Sequence, residues 1–320
     1  MGKRFDVVCA GIIVADHLAA PIDVLPAAGQ LVLTDACFLS IGGCASNVGV
    51  DLAKMNVHAT VCGCIGDDSF GTFAKGVLEE AGVDTSGVTT IPGVATSQTL
   101  IINVKGQDRR FIHHLGANRL FAASHFPRDL VRQSKILYVG GYFLLDGLIP
   151  EELAAVFRDA RSHGVITMLD VVTPGPRDYL GPLSVILPET DYFLPNNDEG
   201  HLMTGESDPV AQADLFRKLG AKASIITCGG KGAVYISEKE RLRTGVFAVD
   251  FVDGTGGGDA FDAGFISGLL QGGDPVRCLS LGSALGASCV RKTGATAGVF
   301  RRDEADRYLR EHVLTVEPIP

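Results

Sequence analysis

Short apolar runs alternate with amphipathic helical segments along most of the chain, and this alternation restricts the fold more than any other feature. Strands buried on both faces of a parallel sheet are continuously apolar, and helices usually connect parallel strands. The pattern therefore predicts an α/β fold, a doubly wound, mostly parallel sheet with helices on both faces. The predicted strands span residues 7–14, 58–64, 136–140, 165–170, 191–194 and 224–227. The predicted helices span residues 45–55, 70–81, 151–163, 209–219, 259–271, 275–291 and 303–312.

Two segments interrupt this alternation. Residues 30–41 and 98–115 have strand character, and no helix separates neighbouring strands there. We interpret them as a discontinuous β lid, a small sheet attached to a single α/β domain over residues 1–320. A lid of this kind closes over a site and excludes water from it. The alternative is that the two segments extend the edge of the main sheet.

Charge and hydropathy limit the class of protein. The 28 basic and 37 acidic residues give a net charge of −9, which argues against nucleic acid as a partner. No apolar stretch reaches the roughly 18 residues of a membrane-spanning helix, so no membrane partner is expected. Asp6 and Asp16 bracket the first apolar run, which favours a buried strand over a signal peptide. We expect a cytoplasmic protein that keeps its eight cysteines reduced.

A glycine-rich segment carries the strongest chemical signal. Residues 253–259 read DGTGGGD and lead directly into a helical pattern. Consecutive glycine N–H groups at the start of a helix form a site for an anion such as a phosphate. Asp259 is then placed to accept the proton of an attacking hydroxyl, as in a kinase. The alternative is an ordinary glycine turn in which Asp259 caps the helix.

A second glycine pair suits a hydroxyl-rich ligand. Residues 42–47 read GGCASN, so that the backbone is accessible at Gly42 and Gly43, and Asn47 offers both a donor and an acceptor. Asp16 follows the first predicted strand, at the sheet edge where open α/β folds bind ligands, and a carboxylate accepts two hydroxyl hydrogen bonds. The alternative for Asp16 is a loop cap. The sequence contains neither a Walker motif nor the dinucleotide-binding glycine motif after its first strand.

Together these segments resemble the PfkB, or ribokinase-like, family of carbohydrate kinases, whose signatures are Gly-Gly-x-x-x-Asn and Asp-Thr-x-Gly-Ala-Gly-Asp. Between them, NNDE at residues 196–199 is similar to the family's Asn-x-x-Glu, and TCGGKG at residues 227–232 is similar to its Thr-x-Gly-x-x-Gly. The resemblance spans nearly the whole chain. It implies the same doubly wound fold with a β lid. It also implies an ATP-dependent kinase that transfers the γ-phosphoryl group to a hydroxyl of a small sugar or sugar derivative.

The resemblance further implies roles for individual residues. The catalytic set comprises a general base and the three glycines of an anion hole: Asp259, Gly256, Gly257 and Gly258. The residues assigned to Mg-ATP, the first two acting through water, are Asn196, Glu199, Thr227, Gly229 and Gly232. The residues assigned to the acceptor hydroxyls are Asp16, Gly42, Gly43 and Asn47. Many members also bind a monovalent cation beside the anion hole through main-chain oxygens, and the matching positions, which imply K⁺, are Asp253 and Thr255.

Departures from the family concern mainly the acceptor. Cys44 stands where ribokinases usually have lysine, and no glutamate follows the strand that ends at Gly140. These two differences argue against ribose as the substrate. Gly254 and Gly257 replace the threonine and alanine of the second signature, and both changes leave Asp259 intact.

Alternatives to a small sugar stay open. In one alternative the acceptor is a nucleoside, and Phe38 or Phe111 would contact its base. In the other, the chain is a non-catalytic regulator that binds a sugar or a nucleotide on the same fold. Either His113 or His114 faces the substrate, or both pack within the lid, and Asn118 is a similar case. Lids of related proteins often pair at exposed strands, which implies a homodimer through the lid.

Overall fold

Two sheets and the helices around them make up the computed structural model, which describes residues 5–107 and 109–319. In chain order the strands are β1 (Val7–Gly11), β2 (Val14–Ala19), β3 (Cys37–Gly42), β4 (Ala59–Gly66), β5 (Asp84–Ile91), β6 (Gln98–Ile102), β7 (Arg110–His114), β8 (Ile136–Gly140), β9 (Ile166–Leu169), β10 (Tyr192–Phe193), β11 (Ala223–Thr227), β12 (Ala233–Ser237), β13 (Arg241–Thr244) and β14 (Val316–Pro318). The helices are α1 (Cys44–Lys54), α2 (Ser69–Glu80), α3 (Arg128–Arg132), α4 (Pro150–Ser162), α5 (Leu180–Ile186), α6 (Asn197–Thr204), α7 (Pro209–Lys218), α8 (Gly257–Leu270), α9 (Pro275–Cys289) and α10 (Arg302–Glu311).

The larger sheet has the strand order β14-β13-β12-β11-β10-β9-β8-β1-β4-β5. Every pairing from β11 across to β5 is parallel. The strands β12, β13 and β14 add an antiparallel end, because short turns connect β11 to β12 and β12 to β13. This arrangement confirms the predicted doubly wound, mostly parallel sheet.

Helices cover both faces of this sheet. Successive residues of β1 enter two separate hydrophobic clusters, with Val7 on one face and Val8 on the other. One cluster includes side chains of α4, α5 and α7, and the other includes side chains of α1, α8 and α9. Burial of a side chain such as Val8 stabilises the fold by about 1.5–3 kcal/mol. None of the helices in the described part of the chain has the length and apolarity that crossing a membrane requires.

The smaller sheet is separate and has the strand order β3-β2-β6-β7. Its β6–β7 hairpin lies within the predicted segment 98–115. The other predicted segment, residues 30–41, forms a strand only from Cys37 onward. The strand β3 pairs with β2 alone, and β2 ends shortly before Pro21, which has no N–H group to donate. The small sheet is therefore lid-like, as predicted, but its central strand β2 was not foreseen.

One apolar run is shared between the two sheets. The sequence predicted a single strand over residues 7–14, but β1 ends at Gly11 and the chain then turns into β2 of the smaller sheet. Gly11 has φ +140°, and a Cβ there would collide with the carbonyl oxygen of Gly140. Asn118, which is fully buried, holds the turn through two hydrogen bonds of 3.1 Å, donating from Nδ2 to Ile13 O and accepting at Oδ1 from Ile13 N. Asn118 thus has a structural role.

Aspartate side chains fix where several helices begin. Asp68, Asp208 and Asp274 accept backbone N–H groups in the first turns of α2, α7 and α9. Such a cap is worth about 0.5–2 kcal/mol. Asp68 also accepts from the N–H of Thr96 (2.9 Å), so it joins α2 to the segment that precedes β6.

We expect Asn118→Ala to lower the free energy of unfolding by about 2–5 kcal/mol, because it leaves both the N–H and the C=O of Ile13 buried without a partner. Denaturant titration of the purified protein measures this. The control is Asn103→Ala, which removes one 3.4 Å hydrogen bond at a half-buried site and should cost less than about 1 kcal/mol. Equal losses for the two variants would contradict the role of Asn118.

Candidate active site

The anion site predicted within residues 253–259 lies at the start of α8. Gly256 has φ +76°, and a Cβ there would collide with the carbonyl oxygen of Ala295, so the turn requires glycine. A Cβ at Gly258 would meet nothing within 4 Å, which shows that the first turn of α8 faces open space. The N–H groups of a first helical turn have no acceptor within the helix and carry partial positive charge. This end of α8 can therefore receive an anion.

Asp259 joins this turn to the other glycine motif. Its Oδ2 accepts a hydrogen bond of 2.8 Å from Nδ2 of Asn47, which lies 212 residues earlier in the chain. Asn47 belongs to the first turn of α1, which begins after Gly43 in a left-handed conformation of φ +91°. Burial raises the pKa of Asp259, and hydrogen bonds from Asn47 and Cys44 oppose that shift. The two predicted motifs thus form one site at adjacent helix N-termini.

Asp16 lies in β2, within electrostatic reach of Asp259. A Cβ at Gly42 would occupy the position of the Asp16 carboxylate, so glycine is required there to leave room for it. Burial raises the pKa of Asp16 to about 6, a hydrogen bond from Thr99 opposes the shift, and the charge of Asp259 adds to it. At neutral pH, Asp16 is therefore a buried carboxylate able to accept hydroxyl hydrogen bonds.

A row of polar side chains lies on the face of the smaller sheet that carries Asp16. The register pairs Asp16 with Ser40 on β3 and with Thr99 on β6, and it pairs Thr99 with His113 on β7. Directly paired residues share one face of a sheet. Nδ1 of His113 lies 3.0 Å from Oγ1 of Thr99, and burial lowers the pKa of His113. His113 therefore lies on the Asp16 face in its neutral form at pH 7, whereas His114 lies on the opposite face.

Sequence reasoning missed Asp170 and Tyr138. Asp170 follows β9, and ligand atoms of Asp170, Cys44 and Asp259 all lie within 4.8 Å of one another. Burial and the charge of Asp259 raise the pKa of Asp170 to about 7. The Tyr138 hydroxyl lies 3.3 Å from Oδ2 of Asp170 and 3.1 Å from Oδ2 of Asp262. The sequence did hold a signal for Asp170, because this carboxylate ends a predicted parallel strand, and α/β sheets bind ligands at that end of their strands.

The residues assigned to ATP follow β10 and β11. Asn196 caps α6, because its Oδ1 accepts from the N–H of Glu199 and Oε2 of Glu199 accepts from the N–H of Asn196, both at 2.9 Å. Asn196 also forms an isolated parallel bridge with Thr227. Positive φ angles at Gly229 (+52°) and Gly232 (+88°) turn the chain back after β11. The structure thus brings these five residues to one end of the sheet.

Protein groups already contact Asp253 and Thr255, the two residues that the resemblance assigns to a monovalent cation. Oδ1 of Asp253 accepts from the N–H of Thr255 (2.9 Å), from its hydroxyl (2.7 Å) and from the Arg109 guanidinium (3.2 Å), and Oδ2 accepts from the N–H of Gly294 (3.0 Å). The main-chain oxygen of Thr255, which the resemblance assigns to K⁺, lies 3.3 Å from the Cys289 thiol. Protein donors thus already lie on both carboxylate oxygens of Asp253, on the hydroxyl of Thr255 and on its main-chain oxygen.

Comparisons with known proteins agree with this architecture. The family described as "pfkB family carbohydrate kinase" matches residues 4–300. Ribokinase of Haemophilus influenzae is 30% identical over 94% of this chain and 97% of its own length, and 2-dehydro-3-deoxygluconokinase of Bacillus subtilis is 29% identical over 84% and 86%. The structure of Arabidopsis thaliana ribokinase complexed with ribose and ATP superposes with a TM-score of 0.81 at 23% identity, covering 97% of this chain and 99% of that one. The chain belongs to the pfkB family of carbohydrate kinases.

Proposed function

We propose that this chain is an ATP-dependent kinase that transfers the γ-phosphoryl group to a hydroxyl of a small sugar or sugar derivative. The observation that carries the proposal is the Asp259 carboxylate, which Asn47 holds at 2.8 Å beside the open, glycine-rich start of α8. Phosphoryl transfer to a hydroxyl requires a base and an anion site side by side. The relatives named ribokinase and 2-dehydro-3-deoxygluconokinase support a sugar or a sugar derivative as the acceptor class.

The acceptor hydroxyls contact Asp16, Gly42, Gly43 and Asn47 in this proposal. The glycines leave the backbone accessible, and the Asp16 carboxylate accepts hydroxyl protons in hydrogen bonds. Oδ1 of Asn47 is buried and has no hydrogen-bond partner among the described residues. Buried polar atoms are usually paired, so a substrate hydroxyl is the donor that this oxygen lacks.

Asp259 accepts the proton of the acceptor hydroxyl while the hydroxyl oxygen attacks the γ-phosphorus of ATP. A P–O bond forms on that side, the bond from the γ-phosphorus to the β,γ-bridging oxygen breaks, and ADP leaves with that electron pair. The turn formed by Gly256, Gly257 and Gly258 and the first N–H groups of α8 stabilise the charge on the transferred group. The lid keeps water away, because water would otherwise compete as the acceptor.

Mg-ATP is the phosphoryl donor in this proposal. The residues that line it are Asn196, Glu199, Thr227, Gly229 and Gly232. Burial and then the charge of Asp170 raise the pKa of Glu199, so these two carboxylates repel one another in the absence of a cation. Oxygen donors of this kind fit Mg²⁺, which when bound neutralises charge on the phosphates. K⁺ is left out of the proposal because Arg109, Gly294 and Cys289 already place donors on Asp253 and Thr255.

A nucleoside kinase is the second candidate function. The register places Phe38 on β3 and Phe111 on β7 on the same face of the smaller sheet as Asp16. Their side chains are 51% and 55% exposed, so their rings are accessible to a ligand. An accessible ring on the substrate face can stack on a nucleobase.

We further propose a homodimer that forms through the lid. On the face opposite Asp16, Leu39, Leu100 and Ile112 lie in one cross-strand row with His17, which stands between Leu39 and Leu100. The three apolar side chains are 41%, 46% and 61% exposed. The outer strands β3 and β7 each pair on one side only within the small sheet. A second lid would cover the apolar row and satisfy the strand edges.

We expect Asp259→Asn to lower kcat by about 10²- to 10⁴-fold, because asparagine keeps the shape of the side chain but does not take the proton. ADP release from Mg-ATP, measured against pentoses, hexoses, sugar acids, polyols and nucleosides, tests both this and the acceptor class. ATP binding should be retained in the variant.

The matched control is Asp250→Asn, an exposed aspartate in the loop before α8, which should turn over like the wild type. Undiminished turnover in Asp259→Asn would show that another group is the base. If ATP binds but no acceptor on the panel is phosphorylated by the wild type, the non-catalytic regulator becomes the better interpretation.

We expect acceptor affinity to weaken as pH falls through about 6, because Asp16 then becomes protonated and loses its acceptor oxygens. From pH 7 to pH 5 the loss should approach tenfold for a group with this pKa. Calorimetric titration of the acceptor without ATP measures it. In Asp16→Asn the affinity should be low at both pH values, and a wild-type affinity that does not change with pH would contradict the assignment.

We expect the wild type to elute as a dimer in size-exclusion chromatography with light scattering, and Ile112→Lys to elute as a monomer, because a charge then lies in the apolar row. Val313→Lys is the matched control, since Val313 is 92% exposed and lies outside the lid. A wild-type monomer over the whole concentration range would overturn the proposal.

A further inference from the structure

Arg109 connects the lid to the loop that precedes the anion site. It lies between β6 and β7, immediately before Arg110, and its side chain is 24% exposed. Its Nη1 donates to Oγ1 of Thr255 at 2.7 Å and to Oδ1 of Asp253 at 3.2 Å. Asp253 lies 144 residues after Arg109 in the chain. The guanidinium carbon also lies 5.6 Å from the centroid of the Phe111 ring. The positively charged guanidinium of this lid residue therefore contacts the loop that leads into α8.

Gly254 in this loop leaves space for the guanidinium. Nη2 of Arg109 lies 3.1 Å from the position that a Cβ at Gly254 would take. A side chain at position 254, such as the threonine of the family signature, would crowd the guanidinium and shift it by at least a few tenths of an ångström. The glycine that departs from the signature thus leaves the guanidinium in its present position without crowding.

Several oxygen atoms in and beside the same loop already have protein partners. The Cys289 thiol lies 3.3 Å from the main-chain oxygen of Thr255 and 3.0 Å from that of Ala295. The Asp253 carboxylate accepts N–H groups from Thr255 and Gly294 in addition to the arginine. Asp253 is an ionised acceptor here, because these hydrogen bonds and the Arg109 charge outweigh its burial and lower its pKa.

We propose that Arg109 replaces the monovalent cation of related kinases, so that this enzyme works without K⁺. The guanidinium supplies the positive charge that orders residues 253–255, and through them the glycine turn of the anion site. Because Arg109 belongs to the lid, the charge is in place only when the lid lies against the loop. Arg109 is thus a positioning residue. The expected effect of Arg109 on turnover rests on the proposed kinase function, whereas its expected effect on cation binding does not.

The test compares KCl with tetramethylammonium chloride at equal ionic strength, about 0.1 M, so that screening is the same in both. For the wild type we expect the melting temperature to agree within about 1 °C in the two salts, since a cation stabilises only a fold that binds it. We also expect kcat to agree within about twofold, because the guanidinium already supplies the charge. For Arg109→Ala we expect kcat to fall by about tenfold or more in tetramethylammonium and to recover with K⁺ or millimolar guanidinium.

Two further variants complete the comparison. Arg109→Lys keeps a charge near the loop, so it should retain more activity than Arg109→Ala without K⁺. Arg110→Ala is the matched control, because Arg110 lies on the face of β7 opposite Phe111 and its side chain hydrogen-bonds Gln107 instead of the Asp253 loop. Its turnover and its response to K⁺ should equal those of the wild type.

Either of two results would overturn the proposal. One is a wild-type enzyme that K⁺ activates more than about fivefold, or whose melting temperature K⁺ raises by several degrees, since K⁺ then binds the native fold. The other is an Arg109→Ala variant whose loss no cation restores, since Arg109 then acts only in packing. If no acceptor is turned over at all, the kinase assignment fails, while the melting temperatures of the wild type and of Arg109→Ala still decide whether the arginine replaces the cation.

Discussion

The turn between β1 and β2 is the constraint on which the rest of the site depends. The first apolar run leaves the main sheet at Gly11, where a side chain would collide with Gly140, and continues as the central strand of the lid. The buried Asn118 amide satisfies the two backbone groups that the turn leaves unpaired at Ile13. Three residues later the chain reaches Asp16. Backbone geometry at this turn therefore sets where β2, and with it the acceptor carboxylate, starts relative to the main sheet.

The centre of the site concentrates acidic groups where two helices begin. Burial raises the pKa values of Asp16, Asp170 and Asp259, and in the first two the charge of Asp259 adds to the shift. Partial positive charge at the N-termini of α1 and α8 favours the ionised forms, but helix termini alone supply only modest stabilisation. Several buried carboxylates close together destabilise the fold, because their charges repel one another and are poorly solvated. They suit a site that receives a cation with its substrate, as a kinase does with Mg-ATP.

The sequence predicted what depends on local pattern. The parallel sheet followed from apolar runs, and the pairing of two glycine motifs followed from their resemblance to a known family. The missed features depend on distant partners. A continuous apolar run such as residues 7–14 suits either one strand or two, and the partner that divides it, Asn118, lies more than a hundred residues away. Asp170 ended a predicted strand, but only the fold shows that its carboxylate meets Cys44 and Asp259.

Three features around α8 are consistent with one another, and one of them, Gly254, departs from the family signature. Gly254 leaves space for the Arg109 guanidinium, Arg109 binds Asp253 and Thr255, and the Cys289 thiol lies against the main-chain oxygen of Thr255. The guanidinium and the thiol place protein donors on oxygens of Asp253 and Thr255, the residues that the resemblance assigns to the cation. A charge fixed to the lid differs from a diffusible ion in one respect, because its position depends on the lid. Since the lid also carries Asp16, acceptor binding and ordering of the anion site are linked through a single small sheet.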